Sequence, residues 1–401
     1  MQRHALAATL IGAAVIAASC GSSGTKTTSS PTTAGSTGSA GAFARSHYTT
    51  PLAGVCPNPV VVQADWVPEA DHGFLYQMIG AGGKRAQFSY EGPLGATGID
   101  LRILAGGPGL GSGASQPSSL YTGNLVKGVT PTLAFVSSDD AIQYSKQYPT
   151  TAVFGEYAKS PQVIMFDPTK YQISDLPSMK AAVAKGAKIY VESTTFSFVH
   201  WLISQGIPSD AFIGGYAGDL EKFVGSGGSL LNQGFSTNEV FKLEHETPTW
   251  DKKVGYVYLA DLGLPFAQSA VSVASNKLAA LSGCLQKLVP LMQHSLADYV
   301  AAPGEVNGLL NQLNPTYSVA FWHTPVDLNN AATKTMLSDK LVADTSGTSS
   351  VGGFDMTQVE KIISELLPVD TSQGLTTMNP SVAGADIATN RFIDPSVGVG
   401  P

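Results

Sequence analysis

The chain holds only three cysteines in 401 residues, Cys20, Cys56 and Cys284, too few for a disulfide-stapled scaffold or a cysteine-built metal centre. Charge is equally sparse: charged residues make up 13% of the chain, the net charge is −7, and there is no basic run. That argues against nucleic acid as a partner, because phosphate neutralisation needs a basic face. Beyond the amino-terminal run, no apolar stretch is long enough to span a bilayer. The sequence also lacks a GxGxxG fingerprint, a Walker loop, an HExxH helix and a GxSxG elbow. Its histidines show no clustered ligand spacing. His245, between Glu244 and Glu246, comes nearest, but two flanking carboxylates do not make a coordination shell. No nucleophile–base pair is visible, so nothing argues positively for an enzyme or a cofactor.

What is present begins with an export signal over residues 1–19. Arg3 and His4 form a short basic start, Ala5–Ala18 is apolar, and Ala17-Ala18-Ser19 supplies small residues before Cys20. This looks like a bacterial lipobox, with Cys20 the lipidated first residue of a protein on the outer face of the cell membrane. Ala17 stands where Leu is commonest, and an ordinary secretory signal is the alternative. Residues 20–55 comprise that anchor and a Gly-, Ser- and Thr-rich tether too poor in large apolar residues to fold. In an exported protein Cys56 and Cys284 either pair or remain buried thiols.

The stretch Val60–Tyr76, VVVQADWVPEADHGFLY, organises the rest. Its apolar β-branched run reads as a buried strand that ends near Trp66, with a helical pattern starting at His72. Strand-like and helix-like segments then alternate, which means βαβ units and a mostly parallel sheet. Gly234–Glu244 reads as a turn into a strand, and Val271–Gly283 as the first of several helices. Roughly three hundred folded residues suggest two lobes. In open α/β sheets ligands bind beyond the carboxyl ends of strands. The polar or aromatic residues there are Trp66 and His72, Gly106 and Gly107, Ser137 and Ser138, Ser160, Ser193, Thr194 and Thr195, Tyr216, and Asn238 with Glu239. Ser193–Thr195 fit an anion-holding helix start or a plain N-cap. Trp66 reads equally as core packing, and Glu239 as a solvated carboxylate.

These residues carry a resemblance. DWVPEADHGFLY (Asp65–Tyr76) resembles the first motif, and NQGFSTNEVFKLE (Asn232–Glu244) the second, of the thiamine-pyrimidine-precursor-binding family. That family includes relatives of the yeast pyrimidine synthase and of nitrate-, sulfonate- and taurine-binding proteins. The resemblance implies an α/β, two-lobed type II periplasmic-binding fold, each lobe a mostly parallel sheet flanked by helices. Lobe one would comprise residues 56–160 and 256–369 with the C-terminal helices, lobe two residues 161–255, and residues 370–401 an irregular tail in which Asn390–Ile393 could dock. It implies a monomeric solute-binding lipoprotein that captures a small polar molecule, such as a pyrimidine precursor, sulfonate or nitrate. The ligand would lie between the lobes, and an ABC-transporter permease would be the partner. The turn after the second lobe-one strand, LAFVSSDD (Leu133–Asp140), lacks the Lys and His of the synthase branch. That favours binding over catalysis, with an envelope enzyme or a scaffold lipoprotein as alternatives. The Gly-rich insert over residues 106–123 departs from the family pattern. Hinge closure over the ligand is the expected mechanism.

Overall fold

Val60 and Val62 of the opening strand are completely buried, as a strand covered on both faces requires. The computed structural model describes residues 48–107, 115–126, 128–267, 269–317 and 322–400. The export signal, Cys20, the tether up to residue 47 and residues 108–114 of the insert lie outside the described residues. Packing begins earlier than the sequence suggests. Tyr48 and Leu52 are fully buried in the core, so the segment read as the end of the tether is part of the folded body.

Among the described residues twelve strands form two sheets. The first contains β1 (Val60–Gln63), β2 (Lys84–Ala86), β3 (Ser89–Pro93), β4 (Asp100–Leu104), β5 (Leu133–Val136), β6 (Thr150–Gly155) and β12 (Ala270–Ala274), in the order β2-β3-β4-β1-β5-β12-β6. The second contains β7 (Gln162–Phe166), β8 (Lys188–Tyr190), β9 (Phe212–Ile213), β10 (Leu230–Phe235) and β11 (Gly255–Tyr258), in the order β11-β7-β10-β8-β9. β1 runs parallel to β4 and β5, and β8 runs parallel to β9 and β10.

The chain crosses between the sheets twice, and each crossing delivers an antiparallel strand. β7 enters between β10 and β11, while β12 enters between β5 and β6. Apart from the β2–β3 hairpin on one edge, both sheets therefore repeat a single pattern: second, first, third, crossing and fourth strand. This is the type II periplasmic-binding architecture. β11 runs to Tyr258, slightly past the boundary read from sequence.

Three segments differ from the sequence reading. Ala270–Ala274 is a strand, not the start of a helix; all five residues are buried, and periodicity cannot separate a short buried strand from a buried helical turn. The helix begins only at Leu278. Glu239–Phe241 is helical and runs into a π turn over Lys242–Glu246, where a strand was expected, because the hydrogen-bonded turn at Asn238 starts a new helix. The tail is not irregular throughout. Helix Met356–Ser372 extends into it, Gly384–Ile387 is a short helix, and Phe392 is fully buried.

Helix Leu278–Ala301 packs on the first lobe against helix Gly73–Ile79, every residue of which is buried. Gly73 allows this approach, since a Cβ there would sit 2.0 Å from the Tyr299 ring. Helix Met356–Ser372 packs on helix Ser138–Gln143 and also reaches helix Ser197–Ser204 of the second lobe. No described helix is long and apolar enough to cross a membrane. Cys56 and Cys284 form a disulfide that ties the segment before β1 to helix Leu278–Ala301. Replacing both with serine should destabilise the protein by about 2–4 kcal/mol. The loss should appear as a lower urea midpoint that, unlike that of the native protein, no longer responds to reductant.

Candidate functional site

The carboxyl ends of the parallel strands face one another across a cleft of about 450 Å³. Asp65 and Trp66 follow β1; Ser137, Asp139 and Asp140 follow β5. Across from them, Glu192 follows β8, Gly215 and Tyr216 follow β9, and Asn238 and Glu239 follow β10. The crossing strands contribute Gln162 and Ser269. Trp322 comes from the C-terminal part of the chain.

Asp65 anchors the first-lobe wall. His72 Nε2 lies 2.7 Å from Asp65 Oδ1, and Ser269 Oγ donates to Oδ2 at 2.7 Å. Burial alone would raise this carboxyl, but the bonds from His72 and Ser269 and the imidazole's charge hold it below its ordinary range. A carboxylate only accepts, so the imidazole donates through Nε2. Its Nδ1 is buried without a hydrogen-bond partner. Trp66 meets Trp322 edge to face, with centroids 5.2 Å apart. Trp322 Nε1 donates to Glu69 Oε2 at 3.1 Å, while Lys242 Nζ lies 4.0 Å from the Trp322 ring centre.

The second-lobe wall is built on Glu239. Tyr216 Oη donates to Oε1 at 2.6 Å, and the Phe235 amide donates to Oε2 at 2.8 Å. Burial nevertheless raises the Glu239 carboxyl. Thr237 Oγ1 reaches across to Asp71 Oδ2 at 3.1 Å, linking the lobes.

Among the described residues seven carboxylates line the cleft, and no lysine or arginine does. Burial is the largest cause of upward shifts at most of them. Asp71 is pushed up to about 6. Asp140 is pushed to about 8, with the charges of Asp139 and Asp65 adding to the effect. Glu69, Asp139 and Glu192 are also raised, Glu69 helped by Asp71. Lys242 moves down, because burial outweighs the pull of Glu239, Glu69 and Glu246.

Of the residues expected from sequence, Trp66, His72, Ser137, Tyr216, Asn238 and Glu239 line the cleft. The others do not. Ser138 bonds Ala267 through both its amide and its hydroxyl, which joins the β5 turn to the chain approaching β12. Ser160 accepts from the Gln162 amide at the crossover into β7. Ser193, Thr194 and Thr195 are neither the helix start nor part of the cleft wall. Ser193 and Thr195 bond each other, and the helix begins at Ser197 after Phe196. Gly106 and Gly107 support the wall from behind. A Cβ on Gly106 would lie 2.3 Å from the Ala64 carbonyl, and Gly107, at φ +79°, packs on the Trp66 ring. The sequence reading missed Asp65, Glu69, Asp71, Asp139, Asp140 and Trp322 as lining residues. Their only local trace is that acids recur in the turns after β1 and β5, as Asp65, Glu69 and Asp71 and as Asp139-Asp140.

No family model matches the sequence, and no curated protein matches it either. Solved structures do. A protein of Bordetella bronchiseptica is 12% identical over 84% of this chain and 96% of its own, with a TM-score of 0.49. An ABC transporter protein of Parabacteroides distasonis is 9% identical over 84% and 100%, with a TM-score of 0.47. The periplasmic aliphatic sulphonate binding protein of Escherichia coli is 12% identical over 71% and 89%, with a TM-score of 0.38.

The raised carboxyls have a consequence for stability. Each binds its proton more tightly in the folded protein than in the unfolded chain, so folded stability falls as pH rises through the window between the two values. For Asp71 that window closes near 6 and for Asp140 near 8, and Asp370, pushed by burial to about 6, acts in the same direction. Asp65 acts oppositely and only in acid, its contribution disappearing as pH falls below the ordinary carboxylate range. The melting temperature of the ligand-free protein should therefore rise as pH is lowered from 8 to 6. Asp140→Asn should flatten the upper part of that profile, as measured by calorimetric scans.

Proposed function

We propose that this protein is an extracytoplasmic solute-binding protein of an ABC importer, tethered to the membrane through a lipid on Cys20. The observation that carries the reading is the cleft itself. Strand ends from both sheets line one cavity, and among the described residues the lobes that form it are joined by the two crossovers, the C-terminal helices and side-chain bonds such as Thr237 to Asp71. A ligand that touches Trp66 and Asp140 on one side and Tyr216 and Asn238 on the other favours whichever lobe arrangement lets it touch both. Its differential affinity then closes the cleft. The permease would recognise the closed form and accept the ligand as the lobes separate. Trp66, His72, Ser137, Tyr216, Asn238 and Glu239 remain the proposed ligand contacts from the sequence, joined by the acidic residues of lobe one.

A ligand that binds only the folded protein stabilises it by about 2.7 kcal/mol at one hundred times its dissociation constant, so a thermal-shift screen detects it. Trp66→Ala should weaken the hit by about tenfold, in keeping with the loss of one aromatic wall. Thr194→Ala, which lies off the cleft, should leave its affinity unchanged. Loss of affinity in Thr194→Ala with none in Trp66→Ala would place the site elsewhere. A separate experiment tests the anchor. Cys20→Ala should abolish labelling by radioactive palmitate and release the protein from the membrane fraction, whereas unchanged fractionation would reject lipidation.

A further inference from the structure

We propose that the cleft takes a small organic cation: an ammonium or guanidinium group on an apolar or flat body, held between carboxylates and aromatic rings. This rests on the reading of the protein as a solute receptor and names the class of solute. The first observation is charge. Among the described residues the lining is rich in acid on both lobes and contains no lysine or arginine, Lys242 being engaged with the Trp322 ring. An anion brought here would meet the ionised Asp65 and would hold the remaining carboxyls in their protonated form, whereas a cation favours their ionisation.

The second observation is unmet hydrogen-bonding capacity. Asn238 is 4% exposed, lines the cleft, and its Oδ1 has no hydrogen-bond partner among the described residues. A buried acceptor left in that state is costly, and an N–H donor on the ligand relieves it. Asp140, half-buried and also lining the cleft, makes no side-chain hydrogen bond among the described residues, its ionisation being governed by burial and by the charges of Asp139 and Asp65.

The third observation is the aromatic wall. Trp66 and Trp322 meet edge to face beside Glu69, and one face of Trp322 already carries a cation, the Lys242 ammonium. Aromatic faces bordered by carboxylates attract organic cations, and more strongly when desolvated. A bare metal ion fits less well. Among the described residues no group of three or more His, Cys, Asp or Glu is placed to hold one.

Cation binding favours the ionised form of every carboxyl it faces, so protons leave on binding and affinity rises with pH. Asp140 faces Asp139 on its own helix and Asp65 from the β1 loop. Asp71 faces His72, Asp65, Thr237 and Tyr157. Glu69 faces Asp71, Asp65, Glu239 and Trp322, and the Lys242 amine beside that ring.

The test is calorimetric titration of the purified protein at pH 6 and pH 8, in buffers of different ionisation enthalpy. Choline, agmatine and spermidine serve as cations, ethanesulfonate and nitrate as anions, uracil as a neutral planar compound, and calcium and zinc as metal ions. Choline is informative because its charge does not change with pH. The expected result is binding of an organic cation with proton release, its affinity rising about tenfold per pH unit for each proton released. Asp140→Asn should weaken that binding by about tenfold or more while preserving or raising the melting temperature, since it removes a buried charge. Lost binding together with a lowered melting temperature would mean that Asp140 is structural, and would count against the assignment. Preferential binding of an anion, a neutral compound or a metal ion, or an affinity that falls with pH, overturns the cation assignment and leaves the receptor reading intact. If no compound of any class binds, both fall.

Discussion

Like charges crowded into one partly dehydrated space are the constraint around which this molecule is arranged. Asp65, Glu69, Asp71, Asp139 and Asp140 all emerge within a few residues of two adjacent parallel strands, β1 and β5, and face Glu192 and Glu239 from the second lobe. Such crowding opposes folding unless something offsets it. Part of the offset is local: His72 and Ser269 hold Asp65 ionised, while at Glu239 the bonds from Tyr216 and a backbone amide only partly oppose the upward push of burial. Part of it is protonation, since most of the remaining acids hold their protons more tightly than usual. The scaffold must be rigid behind the cleft to keep these groups together. The fully buried helix Gly73–Ile79, clamped under helix Leu278–Ala301, provides that rigidity just after His72.

The fold also explains why the acids gather from distant parts of the chain. Because each crossing strand inserts antiparallel into the other lobe's sheet, parallel strands of both lobes point their carboxyl ends toward the same gap. Ser269, at the entry of β12, can then hydrogen-bond Asp65, two hundred and four positions away. The polar edges of two sheets become the two faces of one cavity, which is the usual position of ligand sites in open α/β sheets.

Much of this was legible beforehand. The α/β class followed from alternating strand and helix signals and the two lobes from the folded length, and Trp66, His72, Tyr216 and Glu239, which line the cleft, stood out because they are aromatic or polar residues near the ends of apolar runs. Three kinds of information were not legible. Ala270–Ala274 hid as a helix because a short, wholly buried strand has no alternation to display. Ser193–Thr195 looked like a helix start because small hydroxyls cap helices, whereas the helix begins at Ser197, after Phe196, which makes no side-chain cap bond and lines the cleft. The acidic character of the site was overlooked because the carboxylates are spread over many turns, each unremarkable alone. Their effect arises only when folding superimposes them. Trp322 lies still further away in the chain, and nothing local to it signals a place opposite Trp66.

Helix Met356–Ser372 touches both lobes. Trp201 Nε1 donates to Glu365 Oε2 at 2.8 Å, and Ser197 Oγ donates to Asp370 Oδ1 at 3.0 Å, while the same helix packs on helix Ser138–Gln143 of the first lobe. Two crossing strands alone form a pair of pivots, about which one body swings through a wide arc. A third attachment away from that axis shortens the arc, as a stay limits a door. A pair of lobes braced in this way samples fewer arrangements than an unbraced pair. For the receptor proposed above, less freedom would be surrendered at capture, and unloading would fall to whatever machinery pulls the lobes apart.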